Sequence, residues 1–278
     1  MKQRKKFICI TIVMAMLILC LSGCGVTKEK LLAKIGVNML AAKSFTMNAV
    51  MDINMTGDVL GASIDANVNM NMDTDINVKP FVGYGKGEVT TKVLGQSSKV
   101  NMELYEESVD GQLNVYASVD GSDWQKHSSE LDDDNGFKLY GLAGIAKVND
   151  MLELEKETSM IDDIECYQIK GAIDGETLEG IIDTTMGSEG QVKELLKNVD
   201  WSGRQVPTQI YVDKKGEHLV KMSFDMIGVI DAAFDEALGE FSGLLKSDKC
   251  TLDISFSNYN KVEQIVIPDE VRNNAKEG

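Results

Sequence analysis

Few side chains in this chain of 278 residues are suited to catalysis. It has only two histidines, and nucleophilic catalysis needs a base such as histidine held against a serine or cysteine. His127 stands beside Ser128 and Ser129 in a predicted loop, and His218 follows Gly216 in a predicted hairpin arm. Neither histidine lies in a known catalytic signature. We therefore expect that the protein is not an enzyme.

Three short motifs resemble metal sites, but none has a complete ligand set. Residues 52–57 imitate the start of a calcium loop, yet the twelfth position is Ser63 instead of a bidentate glutamate. The acidic run 132–135 is either a weak calcium site or a solvated turn. Met70 and Met72 resemble a copper-binding methionine pair, but both fall on the apolar side of a predicted strand. We predict no cofactor and no resident metal.

The N-terminus carries the most specific motif of the sequence. A basic start at residues 2–6 precedes fifteen uncharged residues, 7–21. As a helix this run would span about 22 Å, less than the hydrocarbon core of about 30 Å, which favours a signal peptide over a membrane span. The string Leu21-Ser22-Gly23-Cys24 resembles the bacterial lipobox. That resemblance implies a diacylglycerol on Cys24 and cleavage between Gly23 and Cys24, whereas a plain secreted protein with a chance cysteine is the alternative.

The charge of the chain bears on its partners. The formal charge is −16, and residues 1–23 hold four of the 28 Lys and Arg but none of the 44 Asp and Glu, so the mature chain carries −20. Such a chain is not expected to bind nucleic acid, because phosphate binding needs clustered cations. Anionic membrane surfaces would repel it. We therefore predict that it is tied to the cell membrane through the diacylglycerol on Cys24 and faces outside the cytoplasm.

Most of the mature chain is predicted to form β-strands, which must position any site. A helix is predicted over residues 26–43, where apolar residues recur at spacings of three and four. From Met47 onward the period changes to two, so each strand has one apolar and one polar face. Strands are predicted near residues 47–56, 64–78, 84–93, 99–108, 113–119, 165–173, 176–182, 208–212, 218–226, 251–257 and 262–267, with short helices at 139–148 and 191–199.

Apolar side chains on the inward side of these strands are the predicted site. Methionine is frequent, at 15 residues, and flexible methionines either fill a core or line an adaptable apolar cavity. A helix predicted over residues 227–245 either covers this face as a lid or fills the core. The predicted cavity-lining residues are Met47, Met51, Ile53, Met55, Val68, Met70, Met72, Met102, Met222, Phe224, Ile254 and Phe256, and the predicted lid residues are Ile230, Phe234, Leu238 and Phe241.

Two cysteines remain in the mature chain besides Cys24. Cys250 shares a strand face with apolar Leu252 and Ile254, whereas Cys166 alternates with apolar Tyr167 and Ile169. This pattern predicts one inward and one outward thiol. A disulfide between them is less favoured but stays open, because strand ends can bend.

The order of motifs resembles a known family. The lipobox, the N-terminal helix and the long meander are followed by Pro207-Thr208-Gln209-Ile210-Tyr211-Val212-Asp213, Leu219-Val220-Lys221 and Ile265-Val266-Ile267-Pro268. This arrangement resembles the LolA-like and LppX/LprG-type lipoproteins, and it is most similar to their branch in Gram-positive bacteria. The resemblance covers most of residues 28–268 and carries over no functional residue.

The resemblance implies a mainly β, α+β fold, in which a curved antiparallel half-barrel has helices covering its concave face. The expected organisation is a signal peptide at 1–23, a lipid-anchored tether at 24–27, one domain over 28–268 with two strand-rich halves joined near 126–150, and a polar tail at 269–278. Several members carry lipids or lipoproteins, which implies a non-catalytic lipoprotein that binds a lipid or acyl chain. Related domains act as envelope-stress sensors, so an interaction or regulatory module with a packed interior is the alternative.

Overall fold

The structure is a computed structural model that describes residues 26–59, 62–130, 151–185, 199–238 and 245–277. Its helices are α1 (Lys28–Ala41), α2 (Gly175–Thr185), α3 (Ile227–Leu238) and α4 (Asp269–Asn274). Its strands are β1 (Ser44–Val59), β2 (Ala62–Val78), β3 (Phe81–Val93), β4 (Gln96–Val109), β5 (Gln112–Val119), β6 (Gln125–Glu130), β7 (Leu152–Leu154), β8 (Ser159–Ile161), β9 (Ile164–Asp174), β10 (Gln205–Asp213), β11 (Leu219–Asp225), β12 (Leu245–Ser257) and β13 (Lys276–Glu277).

Helix α1 begins where the sequence supplies a cap. The hydroxyl of Thr27 accepts a hydrogen bond from the backbone N–H of Lys30 at 3.4 Å, which satisfies one free donor of the first turn. The apolar residues at spacings of three and four then fall on one face, and they are buried: Leu31, Leu32, Ile35 and Met39. The helix predicted from the sequence is confirmed within a few residues at each end.

The strands form one open, curved sheet, in the order β13-β6-β5-β4-β3-β2-β1-β12-β11-β10-β9-β7, with β8 also paired to β9. Neighbours are antiparallel except β13, which runs parallel to β6. The long hairpin of β1 and β2 keeps an unbroken register in which Met51 pairs with Met70 and Phe45 with Ile76. The predicted fold class, a mainly β half-barrel with covering helices, is confirmed.

One face of the sheet, here called the inner face, carries Phe45, Met51 and Ile76. Its side chains and those of α1, α2 and α3 form the main core of the described residues. On this face the predicted alternation of apolar and polar residues is confirmed, since Met47, Met51, Ile53 and Met55 of β1 are at most 7% exposed. The opposite, outer face of β1 and β2 carries asparagine and aspartate, such as Asn48, whose amide donates to Asn71 at 2.7 Å.

Several predicted elements differ from the structure. Residues 176–182 were predicted as a strand but belong to α2, because Asp174 caps that helix by accepting from the N–H of Thr177 at 2.7 Å. Leu178, Ile181 and Ile182 are spaced for one buried helix face. The predicted loop at residues 127–129 is part of β6, and β7 and β8 were not predicted.

The C-terminal residues also differ from their prediction. Residues 262–267 were predicted as a strand but join no strand ladder, and the N–H of Ile265 donates instead to the Asn77 side chain at 2.8 Å. The predicted polar tail at 269–278 begins with α4 and continues into β13. Val271 and Ile267 pack with Tyr116 against the outer face, together with Val82, Tyr105, Trp124 and Ala275, in a second cluster here called the outer cluster.

The helix predicted over residues 227–245 is described as α3 from Ile227 to Leu238, and its predicted last residue, Leu245, begins β12 instead. Phe241, the acidic run 132–135, the helix predicted at 139–148 and nearly all of that predicted at 191–199 lie outside the described residues, as does the entire lipobox. Among the helices that the structure describes, none is long and apolar enough to cross a membrane.

Candidate functional site

Most of the predicted cavity-lining residues lie in the main core. Nine of them are fully packed there: Met47, Met51, Ile53, Met55, Met70, Met222, Phe224, Ile254 and Phe256. Met72 is also buried, at 9% exposure, while Val68 is only partly buried at the edge of the core. Met102 of β4 is partly exposed. The predicted residues therefore divide into a packed group and a small group toward β3 and β4.

The predicted lid residues divide in a similar way. Ile230 of α3 is fully buried in the main core, and Phe234 is partly buried against it. The helix packs beside β12. In its described part α3 fills the core, whereas Leu238 has no described side chain and Phe241 lies beyond the described residues.

The inner face of β3, β4 and β5 is apolar but only partly covered, and we call it the β3–β5 face. Val89 pairs with Met70 of the main core, so the face continues the core outward. Leu104 and Met102 follow on β4, and Val115 on β5. All of these β3–β5 side chains are intermediate in exposure rather than buried. Among the described residues, this part of the inner face is thus apolar and partly exposed.

Alternate glycines in β3 shape this face. Gly83, Gly85 and Gly87 occupy inner-face positions where side chains from neighbouring strands fold over the backbone. A Cβ at Gly85 would lie 3.0 Å from Leu104 Cγ, and one at Gly87 only 2.6 Å from the carbonyl oxygen of Asn71. Glycine in a strand interior permits such close approach and a sharp bend. The three glycines therefore let the sheet curve around the β3–β5 face.

A single carboxyl group lies within this apolar surface. Glu106 of β4 pairs with Gly83, and Gly83 pairs with Ile76 of the main core, which places Glu106 on the inner face. Its Oε2 lies 3.3 Å from the position that a Cβ on Gly83 would take. Among the residues that the structure describes, Glu106 has no hydrogen-bond donor or cation as a partner. Burial raises the pKa of Glu106 to about 7.

The next residue on β4 has the opposite environment. Glu107 points to the outer face, where Arg272 donates to its Oε2 at 2.7 Å and the hydroxyl of Tyr116 donates to its Oε1 at 3.0 Å. Burial opposes its ionisation, but these two partners outweigh burial, and the pKa of Glu107 lies below its usual value. The charge of the buried Glu107 is thus compensated by Arg272, whereas Glu106, which is only partly buried, has no such partner among the described residues.

The outer face carries a shallow polar groove of about 360 Å³. Two of its lining glutamates are in ion pairs, Glu103 with Lys86 at 3.5 Å and Glu88 with Lys99. Its lining is Asn71, Asp73, Lys86, Gly87, Glu88, Asn101, Met102, Glu103, Ser118 and Gly121. The groove is polar and internally ion-paired, so it does not resemble an apolar ligand site.

The structure does not bring the two histidines together. His127 lies on β6, whereas His218 precedes β11 and stacks on Tyr259 with ring centroids 4.6 Å apart. Cys166 and Cys250 are both buried with free thiols, Cys250 in the main core and Cys166 apart from it. Within the described ranges, no three side chains of His, Cys, Asp or Glu are grouped as metal ligands.

Comparison with known proteins gives the chain a family. Residues 27–276 match the model of a family of unknown function, DUF6612. The chain belongs to the DUF6612 family. The match includes all four described helices and nearly every described strand, so the family domain extends past the predicted boundary at 268. No curated protein matches the chain.

Three solved structures align with most of this chain at low sequence identity. The LprF structure from Mycobacterium bovis is 15% identical, covers 88% of this chain and 99% of its own, and has a TM-score of 0.46. A DUF1329 family protein from Desulfovibrio piger is 13% identical over 87% of this chain and 94% of its own, with a TM-score of 0.22. A β-barrel-like protein of the domain of unknown function DUF1849 from Brucella abortus is 10% identical over 78% and 98%, with a TM-score of 0.28. All three matches lie below 25% identity and below a TM-score of 0.5, so no role is transferred from them to this chain.

Sequence reasoning identified the inner face of this DUF6612 chain but not its reachable part. Leu104, Glu106 and Val115 were not predicted as site residues. The alternate glycines Gly83, Gly85 and Gly87 were the available signal, because glycine at every second strand position indicates one crowded or bent face. Glutamates at positions 103, 106 and 107 fall on both faces of β4, so the alternation of apolar and polar residues did not show which face of this strand is the inner one.

Proposed function

We propose that this protein is a lipid-anchored lipoprotein on the outer side of the cell membrane, and that it binds an apolar ligand, such as a lipid acyl chain, without chemistry. The ligand would lie on the β3–β5 face. One observation carries the proposal: the inner face is tightly packed over β1, β2, β11 and β12, but it stays apolar and partly exposed at Leu104, Met102 and Val115.

The apolar character of this face supports the proposal because exposed apolar surface is unfavourable without an occupant. Each Å² of apolar surface removed from water contributes about 25 cal/mol. Large partly exposed apolar surfaces in folded proteins commonly mark binding sites. Val68, Val89 and Leu113 connect the face to the main core, so a bound chain would rest against a rigid floor.

The membrane anchor is part of the same proposal. Cys24 lies three positions after the end of the uncharged run 7–21 and is separated from α1 by only a few residues. With a formal charge of −20 the mature chain has no electrostatic affinity for anionic lipids, so acyl chains on Cys24 would hold it at the membrane.

A second candidate function has an observation in its favour. The methionines of β1 and β2 are packed rather than exposed, as expected for an interaction or regulatory module with a filled interior. Such a module would bind protein partners through its acidic surface and would need no ligand.

Native mass spectrometry of residues 26–278 separates the two candidates. The chain is expressed in bacteria without its signal peptide and sprayed from a detergent-free solution. We expect a population with added mass, and solvent extraction should release a lipid or fatty acid of that mass. A ligand-free protein that also fails to take up added fatty acids would favour the interaction module.

A pair of variants locates the site. Leu104→Asn places a polar side chain on the β3–β5 face, and Val109→Asn makes the same kind of change on the outer side of the same strand, where Val109 is 45% exposed. We expect Leu104→Asn to lower ligand occupancy severalfold and Val109→Asn to leave it unchanged. Met70→Asp is unsuitable for this test, because Met70 is 6% exposed in the main core and its replacement would unfold the protein.

A further inference from the structure

We propose that the ligand of the β3–β5 face carries a cationic head, an ammonium group attached to an apolar chain, and that this head pairs with Glu106. The inference rests on the proposed function, since it names the chemical class of the ligand bound there. It assigns Glu106 as the polar group that recognises and orients the ligand.

The position of Glu106 suits this role. It lies in one row across the sheet with Ile76, Gly83 and Val115, so apolar residues flank it along the row. On its own strand the neighbouring inner-face residues are Leu104 on one side and Ser108 on the other. Apolar ligand sites commonly have one or a few polar groups that fix the ligand's orientation. A head group at Glu106 would direct the apolar chain along Leu104 and Met102.

The charge of Glu106 lacks compensation from the protein. The other glutamates of β4 have cationic partners, Lys86 for Glu103 and Arg272 for Glu107. Within the described ranges no such partner faces Glu106. A carboxylate removed from water is unfavourable unless it is paired or hydrogen-bonded. A cationic ligand supplies the missing partner, while an anionic ligand would add a second negative charge beside the first.

The charge of the whole protein also favours a cationic ligand over an anionic one. A mature chain of formal charge −20 attracts cations and repels anions. Burial raises the pKa of Glu106 to about 7, and an ammonium group next to the carboxylate would favour its ionised form. His127 of β6 pairs with Val115 of β5. It is therefore a titratable side chain farther along the row that contains Glu106.

Titration calorimetry with three probes tests the inference. Decyltrimethylammonium, decanol and decanoate share the same alkyl chain and differ in head charge, and each is titrated below its micelle concentration at about pH 8. The protein is the full lipid-anchored chain held in an amphipathic polymer. The variants are Glu106→Gln and Glu103→Gln, which remove the same charge from opposite faces of β4. Partition of a probe into the polymer is common to all three proteins and cancels in their comparison.

We expect the wild-type protein to bind the ammonium probe at least tenfold more tightly than decanol, and decanoate more weakly than either. A tenfold ratio corresponds to about 1.4 kcal/mol. Glu106→Gln should abolish the preference and keep decanol binding, while Glu103→Gln should keep the preference. Equal binding of ammonium probe and decanol, or a preference that survives Glu106→Gln, would overturn the cationic head and leave the apolar site intact. Failure of all three probes to bind would overturn the proposed function itself.

Discussion

Arg272 donates to Glu107 at 2.7 Å and ties helix α4 to the outer face of the sheet. The two residues are far apart in sequence, and Glu107 is only 6% exposed, so the pair is largely shielded from water. Tyr116 donates to the same carboxylate and lies in the outer cluster with Val271. The ion pair and this cluster together explain why residues 269–277 pack against the domain instead of extending from it.

Replacement of Arg272 by Met should destabilise the protein by about 2 kcal/mol, because Glu107 would keep a buried charge without its cation. Chemical denaturation measures the loss, and Glu107→Gln in the same chain should recover part of it. Lys34→Met is the matched control, since it breaks an exposed pair with Glu217 at 3.2 Å and should cost less than about 1 kcal/mol. Equal losses in Arg272→Met and Lys34→Met would show that α4 is not held by this pair.

The crowding at the β3 glycines predicts a graded effect of alanine. A Cβ at Gly87 would lie 2.6 Å from the carbonyl oxygen of Asn71, so backbone must move, and we expect Gly87→Ala to lower the free energy of unfolding by at least about 2 kcal/mol. A Cβ at Gly83 would lie 3.3 Å from Oε2 of the flexible Glu106 side chain, while the nearest backbone atom, the Asp75 oxygen, is at an ordinary contact distance of 3.9 Å. Gly83→Ala should therefore change stability by less than about 1 kcal/mol. Urea unfolding of both variants measures the difference, and a larger loss in Gly83→Ala would contradict this account of the bend.

Strand periodicity alone was sufficient to predict the N-terminal half of the sheet. Inner-face residues of β1 are apolar from Met47 to Met55, and the other face is polar except at Val50, so only one register buries the apolar side chains. The same reasoning failed at Asp174-Gly175. This dipeptide is typical of a hairpin turn, but Asp174 also caps helices, and local sequence did not decide between the two.

Long-range packing explains the remaining differences. Residues 262–267 have the apolar composition of a strand. Their backbone, however, forms hydrogen bonds with the Asn77 side chain and does not pair with the edge of the sheet. The candidate site depends on which inner-face residues stay uncovered. Strand periodicity assigns a residue to a face of the sheet, but it contains no information about how far that face is covered. Glu106 consequently became recognisable only when its row with Ile76 and Gly83 was known.

Cys166 and Cys250 should stay reduced. Cys166 is on β9 and Cys250 on β12, with β10 and β11 between them, and three strand spacings amount to about 14 Å, beyond the Cα separation of about 7 Å that a disulfide allows. Burial raises the pKa of the Cys166 thiol to about 11 and that of Cys250 to about 12. We expect iodoacetamide to modify neither thiol in the folded protein and both in denaturant, with or without reductant. Modification that requires reductant, detected by mass spectrometry, would contradict free thiols.

The proposed anchor predicts a specific loss of membrane association. Cys24→Ser removes the thiol that would carry the diacylglycerol, so the protein should accumulate as its precursor or appear in the medium. Cys20→Ser is the matched control, because Cys20 lies within the predicted signal peptide and should leave processing unchanged. Membrane fractionation and the mass of the mature N-terminus measure both variants. Unchanged membrane association of Cys24→Ser would exclude this anchor.

Glu106 should make the stability of the protein depend on pH. Its pKa is raised from 4.5 to about 7 by burial, so between these values the folded chain holds a proton that the unfolded chain has lost. This proton binding stabilises the fold most at low pH, and the contribution disappears as pH rises through about 7. Because Glu106 keeps part of its exposure, we expect a moderate effect. As pH rises, the free energy of unfolding of the wild type should fall by about 1–3 kcal/mol more than that of Glu106→Gln. Unfolding in urea at about pH 5 and about pH 8.5 measures it. Glu103→Gln should show no such difference from wild type, and parallel pH profiles for wild type and Glu106→Gln would mean that Glu106 is as well solvated as a surface carboxylate.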